Sequence, residues 1–336
     1  FCGKRGYDME RKEMEKRRDM GEKTGIVIAG AAILDVVAVS VGPEVFLTGS
    51  SPTDGIRLST GGDALNEATV LAHLARSMDA GSLQVSLLTA LGDDMAGRLI
   101  LRHCGECGIS VGEGAVRKKM DTGINVVLVQ KGGERNFLTD PNGSLRRLSK
   151  EDILDQLPQK ADIFCMASIF VSPLLGAEEL EELFGECKRR GMLVCADMTR
   201  PKNGETVEAM GKALRCLDVL FANEAEAAAL TGEADVKRAA EALYRAGISC
   251  AVIKRGGKGC FLRDRSHRIS VPAFPAKNCM DTTGAGDSFA AGFLFALSKG
   301  RGAVECARFA NRCGARAVGT AGATEWTKEG TPPLFI

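Results

Sequence analysis

Short apolar runs alternate with longer amphipathic stretches along most of the chain from Gly25 onward. The short runs are typical of buried strands, and they are predicted at residues 26–29, 85–89, 163–166, 193–196, 219–221 and 250–253. The amphipathic stretches are typical of helices, and they are predicted at residues 66–78, 96–107, 177–190, 207–217, 236–246, 286–298 and 303–318. This alternation predicts an α/β fold, a doubly wound and mostly parallel sheet flanked by helices.

Two segments interrupt that alternation, at about residues 43–60 and 115–140. In the second one, two runs of alternating apolar positions are separated by Gly132 and Gly133, which is typical of a hairpin. We interpret both segments as strands of a small β-sheet lid at the carboxyl edge of the parallel strands, where ligands bind in such folds. An extension of the main sheet is the alternative. Apolar lid positions such as Val126 and Leu128 would leave a face that a second copy could cover, as in a homodimer.

The first 24 residues mix acidic and basic side chains and precede an apolar stretch at residues 25–42. That stretch contains Asp35, which a bilayer would penalise by about 2.5–3.5 kcal/mol, so a membrane anchor is not expected. We interpret residues 1–24 as a charged extension, disordered or not native to the protein. Residues 25–336 are then expected to form one domain into which the lid strands are inserted.

Composition narrows the class of protein further. The 336 residues include 44 Lys and Arg against 43 Asp and Glu, and this balance offers no broad attraction for nucleic acid. Most cysteines stand alone in apolar runs, which fits buried thiols in a reduced, cytoplasmic protein. His103, Cys104 and Cys107 have the spacing of half a zinc site, but the chain has no second pair, so the end of a surface helix is the favoured interpretation.

The most informative motif is the glycine-rich turn Gly284-Ala285-Gly286-Asp287, which opens a strongly apolar helix. Backbone amides at the positive end of a helix form an anion site. A carboxylate beside such a site suits a general base in phosphoryl transfer, where the protein mainly positions groups and stabilises charge. A plain turn with Asp287 as a helix cap is the alternative.

Residues 281–287 (Asp-Thr-Thr-Gly-Ala-Gly-Asp) and 61–68 (Gly-Gly-Asp-Ala-Leu-Asn-Glu-Ala) together resemble the two signatures of the ribokinase-like (PfkB) carbohydrate kinase family. The resemblance extends over residues 26–326. It implies an ATP-dependent kinase that transfers the γ-phosphoryl group to a hydroxyl of a sugar or sugar acid, with Asp287 as the base and residues 284–286 as the anion hole. A nucleoside or vitamin kinase of the same fold and a non-catalytic sugar sensor are the alternatives.

The resemblance also implies a substrate side. It assigns sugar binding to Asp35, Gly61, Gly62, Asp63 and Asn66. Asp35 is predicted at the end of the first strand.

Sugar identity is where the chain departs from the ribokinase branch. That branch has Lys at the place of Asp63 and a sugar-contacting Glu at the place of Val171, so ribose specificity does not follow. Arg117, Arg135 and Arg200 are candidates to meet an acidic substrate, with solvated surface charges as the alternative.

The nucleotide side follows from the same resemblance. It assigns nucleotide binding to Asn223, Lys254, Gly256, Gly259 and Asn311. It implies that Glu226 holds Mg²⁺ through water, with a helix-surface charge as the alternative. It further implies a K⁺ site made of Asp281, Thr283, Ala317, Thr320 and Gly322. A plain turn without a bound ion is the alternative.

Overall fold

The structure, a computed structural model, describes residues 23–78 and 82–328 together with Lys12. The predicted N-terminal extension therefore lies outside the described residues, except for Lys12, Lys23 and Thr24. The described strands are β1 (Thr24–Ala29), β2 (Ile33–Val39), β3 (Gly55–Gly61), β4 (Leu83–Leu88), β5 (Leu91–Gly92), β6 (Ser110–Val111), β7 (Val116–Arg117), β8 (Ile124–Val129), β9 (Arg135–Thr139), β10 (Ile163–Ile169), β11 (Leu193–Met198), β12 (Val219–Asn223), β13 (Cys250–Lys254), β14 (Cys260–Arg263) and β15 (Arg268–Val271).

The described helices are α1 (Glu44–Thr48), α2 (Asp63–Met78), α3 (Met95–Cys107), α4 (Lys150–Gln156), α5 (Ala177–Arg189), α6 (Gly211–Leu214), α7 (Glu224–Thr231), α8 (Val236–Arg245), α9 (Ala285–Ser298) and α10 (Ala303–Ala317). The boundaries of the long helices agree with the sequence prediction to within a few residues. The prediction for residues 207–217 is wrong, since only α6 forms there. The Val207 N–H donates to the carbonyl oxygen of Leu230 (3.2 Å), a residue of α7, and not to a carbonyl oxygen four residues earlier as in an α-helix.

The main sheet has the strand order β15-β14-β13-β12-β11-β10-β1-β4-β6. Its strands pair in parallel from β6 to β13, and β14 and β15 add an antiparallel edge. Alternate residues of β1 face opposite sides, so Ile26 and Ile28 join one apolar core with α2, α9 and α10, while Val27 joins the other with α5 and α8. The predicted mostly parallel sheet with helices on both faces is confirmed.

A separate small sheet has the order β3-β2-β8-β9, which confirms the predicted second sheet. In its register, Val36 lies opposite both Leu58 and Val126, and Val126 lies opposite Leu138. These side chains share one face of the sheet because alternate residues point to opposite faces. Asp35 therefore points to the other face.

The position predicted for Asp35 is wrong, because this residue lies within β2 of the small sheet. The first strand ends at Ala29, and Gly30 turns the chain with φ +145 before β2 begins. A side chain at Gly30 would meet the Ala167 carbonyl oxygen at 2.8 Å, so the turn depends on glycine. No polar break in the apolar stretch marks this exit from the main sheet.

Among the described residues, no helix combines the length and the hydropathy needed to cross a bilayer. Cys165 and Cys195 are fully buried thiols in neighbouring strands of the main sheet. His103 contacts Thr69 Oγ1 through Nε2 (2.9 Å), and the described residues contain no cluster of three or more metal-ligating side chains.

Candidate active site

A cavity of about 770 Å³ lies at the carboxyl ends of β10, β11, β12 and β13. It brings together residues from distant parts of the chain, including predicted site residues of both the substrate and the nucleotide side. The predicted residues that line it are Asp63, Asn223, Glu226, Lys254, Gly256, Gly259, Ala285, Gly286, Asp287 and Asn311.

The start of α9 forms one wall of this cavity. Gly284 adopts φ +71, and a side chain there would meet the Ala323 carbonyl oxygen at 2.5 Å. The Ser288 N–H donates to the Gly284 carbonyl oxygen (2.8 Å), so the amides of Gly286 and Asp287 precede the hydrogen-bond ladder of the helix. The Ala285 N–H donates to the Thr282 carbonyl oxygen (3.3 Å), so this amide is less available to bind an anion than predicted. These first amides carry the positive end of the α9 dipole.

Asp287 is held at this helix end by α2. Asn66 Nδ2 donates to Asp287 Oδ2 (2.7 Å), which joins the two predicted motifs directly. Burial, followed by the charge of Asp63, raises the pKa of Asp287 to about 8. A carboxylate with a pKa close to neutrality can accept a proton effectively.

Two carboxyl groups of α2, those of Asp63 and Glu67, lie near Asp287 of α9. Asp63 accepts a hydrogen bond from the Ser168 hydroxyl, and Ser168 lies at an irregularity of β10 with φ +57. Such a left-handed conformation in a residue other than glycine is uncommon and clusters at functional sites. Glu67 is fully buried, and its Oε1 has no hydrogen-bond partner in the described chain. Burial, followed by the charges of Asp197 and Asp287, raises the pKa of Glu67 well above its usual value.

Lys254 brings a positive charge to the same wall. Its Nζ donates to Asp197 Oδ2 (2.5 Å) and lies 3.2 Å from the position that a Cβ atom on Gly286 would occupy. Burial lowers the pKa of Lys254, but the hydrogen bond and charge of Asp197, together with the charges of Glu226 and Asp287, raise this pKa overall. Burial raises the pKa of Asp197, opposed by Lys254. An ammonium group therefore stands beside the start of α9.

Asn223 and Glu226 cap α7 reciprocally. The Glu226 N–H donates to Asn223 Oδ1 (2.8 Å), and the Asn223 N–H donates to Glu226 Oε2 (2.7 Å). This reciprocal arrangement is a capping box, so both residues stabilise the start of α7. Glu226 Oε1 lies outside the capping pair. Burial raises the pKa of Glu226.

The β13–β14 turn and the chain after β15 form a further part of the cavity lining. Gly256 and Gly259 have φ +53 and +84, and a side chain at Gly259 would collide with the Val271 carbonyl oxygen. Asn311 Nδ2 donates to the Pro272 carbonyl oxygen (3.0 Å) and holds this chain in place. Phe274 also lines the cavity, with half of its side chain exposed.

Asp35, Gly61 and Gly62 lie outside the cavity lining, on the lid side of α2. A side chain at Gly61 would collide with the Asp35 carboxylate, and Gly62 has φ +92 at the entry to α2. Asp35 Oδ1 is buried without a hydrogen-bond partner in the described chain. Burial raises the pKa of Asp35 to about 6, and an Asn125 hydrogen bond opposes this.

The residues predicted to bind K⁺ already satisfy one another. Asp281 pairs with Arg135 and accepts a hydrogen bond from the Gly322 N–H (2.8 Å). Thr283 donates to Asp281 through both its N–H (2.9 Å) and its hydroxyl (2.8 Å). The Ala317 carbonyl oxygen accepts long hydrogen bonds from the Thr320 N–H (3.3 Å) and hydroxyl (3.4 Å). With an arginine at the carboxylate, these residues do not fit a monovalent cation.

None of the three arginines proposed for an acidic substrate lines the cavity. Arg117 pairs with Asp152, and Arg200 is exposed. Sequence reasoning also missed Ser168, Asp197 and Phe274. Asp197 directly follows a predicted strand, and so does Lys254, so their common position at strand ends was a usable signal. The irregular backbone that presents Ser168 left no comparable signal.

The fold and these motifs define the class of protein. The sequence matches the family described as pfkB family carbohydrate kinase over residues 23–329, and the chain belongs to that family. It is 27% identical over 268 residues to a 2-dehydro-3-deoxygluconokinase of Haemophilus influenzae, with 76% of this chain and 84% of the relative covered. A cytidine kinase of Thermococcus kodakarensis is 36% identical over 148 residues, 42% of this chain and 52% of the relative. The structure of an Arabidopsis thaliana ribokinase complexed with ribose and ATP aligns with a TM-score of 0.74 and 25% identity, covering 90% of this chain and 95% of that one.

Proposed function

We propose that the protein is an ATP-dependent kinase that transfers the γ-phosphoryl group to a hydroxyl of a sugar or sugar acid. One observation carries the proposal: Asp287, held by Asn66, stands at the amide end of α9 and faces a cavity that Lys254 also lines. A base, an anion site and a cation thus meet at one point. Membership of the pfkB family supports the same activity. Residues 25–336 would act as one catalytic unit with the small sheet as its lid.

In the proposed reaction, Asp287 accepts the proton of the substrate hydroxyl. The oxygen forms a bond to the γ-phosphorus while the bond from that phosphorus to ADP breaks. The amides at the start of α9 and the Lys254 ammonium stabilise the negative charge of the transferring group. Because Asp287 must be ionised to act, its raised pKa makes it a base suited to neutral and mildly alkaline solution.

Asp35 is the proposed anchor of the substrate. Its buried Oδ1 has no hydrogen-bond partner among the described residues, and a buried carboxylate oxygen is stabilised by a hydrogen-bond donor. A sugar hydroxyl would supply that donor. Gly61 and Gly62 would allow the ring to approach the backbone, and Asp63 would accept from a further hydroxyl.

The proposed nucleotide site lies in the part of the cavity that Asn223, Gly256, Gly259 and Asn311 line, with these residues around the phosphates and the nucleoside. The face of Phe274 would pack on the base. Glu226 fits Mg²⁺ because one of its carboxylate oxygens lies outside the capping pair. A site with a single carboxylate suits an ion that keeps most of its water. When bound, Mg²⁺ would offset the charge of the phosphates.

A substrate panel tests the function. Purified protein with ATP and Mg²⁺ is offered pentoses, hexoses, sugar acids and nucleosides, and the formation of ADP is followed. We expect one sugar or sugar-acid class to stimulate ADP formation, with product phosphorylation checked by mass. The match to a cytidine kinase makes nucleosides a required arm, and activity confined to them would replace the proposed substrate class. Sugar binding by thermal shift without any ADP formation would favour a sensor.

We also propose that the protein forms a homodimer through the lid. Ile56, Leu58 and Leu138 on the small sheet are 70%, 59% and 59% exposed, and the last two share a face with Val36 and Val126. A contiguous apolar sheet face of this kind is typical of an interface. Burying it against a second copy would remove apolar surface from water.

Ile56→Glu is expected to convert such a dimer into a monomer, because a charge would enter the apolar interface without a partner. The measurement is the mass in solution by light scattering or sedimentation. Ile269→Glu on the edge strand β15 is the matched control, since Ile269 is also an exposed strand residue (42%) but lies outside the lid. A monomeric wild type, or an equal effect of both variants, would contradict the proposal.

A further inference from the structure

Arg135 connects the lid to the turn that precedes α9. This residue begins β9, and its guanidinium group donates to Asp281 Oδ2 through Nη2 and to Thr283 Oγ1 through Nη1. The side chain of Arg135 is 25% exposed, whereas that of Asp281 is 7% exposed. The ion pair is therefore largely shielded from solvent. Charge interactions in such a shielded position are stronger than at the protein surface.

Asp281 in turn organises two loops beside the proposed anion hole. Oδ1 accepts two hydrogen bonds from Thr283, and Oδ2 accepts one from the Gly322 N–H in the loop after α10. The Met280 N–H donates to the Val318 carbonyl oxygen (2.8 Å), which fastens the same two loops through the backbone. Burial opposes ionisation of Asp281, but the hydrogen bonds of Thr283 and Gly322 and the charge of Arg135 hold its pKa below the usual value.

Each carboxylate oxygen of Asp281 thus accepts two hydrogen bonds from the protein. A monovalent cation at this carboxylate would have to displace the guanidinium group, and the two positive charges would repel each other. Only two residues separate Asp281 from Gly284, so the position of Asp281 bears directly on the direction of the amides at the start of α9. Arg135 already supplies a positive charge that balances the Asp281 carboxylate.

We propose that Arg135 is a positioning residue that takes the place of a monovalent cation: it neutralises Asp281 and fixes the turn before α9 when the lid covers the site. This inference rests on the proposed kinase function. It requires phosphoryl transfer to proceed without added K⁺. It also makes the geometry of the anion hole depend on the lid, since β9 belongs to the small sheet.

The test compares wild type with Arg135→Ala and Arg135→Lys in a tetramethylammonium buffer, with K⁺ or guanidinium ion added at constant ionic strength. Wild-type kcat is expected to be independent of K⁺. Arg135→Ala is expected to lose about 100-fold in kcat, as for a misplaced reacting group. Added guanidinium ion or K⁺ should restore part of this loss, because the vacated carboxylate can then accept a cation. Arg135→Lys should keep more activity than Arg135→Ala.

Arg57→Ala is the matched control, since Arg57 is an exposed arginine of the neighbouring strand β3. It should neither lower kcat nor create a response to cations. A K⁺ requirement in wild type, or an Arg135→Ala variant whose kcat responds to neither cation, would overturn the inference.

Thermal unfolding gives a readout that needs no activity: K⁺ should raise the melting temperature of Arg135→Ala but not that of wild type. An inactive wild type with this thermal pattern would refute the proposed function alone, and an Arg135→Ala protein stabilised no more than wild type would refute the positioning role.

Discussion

Asp287→Asn is expected to lower kcat for sugar phosphorylation by about 10²–10⁴-fold, the usual contribution of a general base. The amide has nearly the shape of the carboxylate, and its oxygen can still accept from Asn66, so the fold should persist. It cannot take the proton of the attacking hydroxyl. The measurement is the rate of a single turnover with enzyme in excess over ATP, together with the melting temperature. A variant within ten-fold of wild type would remove Asp287 from the mechanism.

The pH dependence offers an independent check of the same base. Since Asp287 must be ionised, kcat/KM is expected to rise with pH until the pKa of this group, about 8 in the free protein, is passed. The charge of Asp63 contributes to that raised pKa, so Asp63→Asn should move the rising limb to lower pH. Ser168→Ala serves as the control, because it removes the hydrogen bond to Asp63 without removing its charge. An unshifted limb in Asp63→Asn would contradict the assignment.

Lys254→Met is expected to be the most destabilising of the proposed substitutions, by about 3–5 kcal/mol in the free energy of unfolding. It leaves Asp197, whose side chain is only 6% exposed, without its ion-pair partner. The same change removes the ammonium group beside Gly286, so phosphoryl transfer should fall as well. Urea unfolding at neutral pH measures the first effect and initial rates measure the second.

Two controls separate the effects of Lys254. Lys258→Met changes an exposed lysine in the turn after β13 and should leave both stability and rate near those of wild type. The double variant Asp197→Asn with Lys254→Met removes the unpaired charge, so it should recover stability but not activity. A recovery of activity in the double variant would show that Lys254 acts only through Asp197.

The long elements of the main sheet could be predicted from the sequence because apolar periodicity reports burial directly. Strands β10 and β12 and helices α9 and α10 are apolar where they face the core, and each was predicted close to its observed boundaries. The short helix α7 was not predicted, although its capping pair, Asn223 and Glu226, was recognised as a motif. A helix of eight residues with little amphipathic contrast gives a weak periodic signal.

In the candidate site, too, local sequence patterns predicted some features and missed others. Asp287 and Asn66 were each recognisable within a local motif, and their hydrogen bond follows from bringing the two motifs together. Contacts between unrelated segments were not predictable in this way. Nothing near Arg135 in the sequence points to Asp281, which is 146 residues away, so the predicted cation site could not reveal that an arginine already occupies its carboxylate. That contact forms because the small sheet brings the start of β9 next to the turn before α9.

The order of elements along the chain has an evolutionary consequence. The small sheet and the first turn of α2 come from residues before 140, whereas the strand ends and turns on the proposed nucleotide side come from residue 197 onward. Mutation or recombination before residue 140 could therefore change the acceptor, provided that Asn66 and Arg135 are kept, because these two residues hold Asp287 and the turn before α9. Such modular inheritance would let relatives that share this architecture diverge in substrate without rebuilding their chemistry.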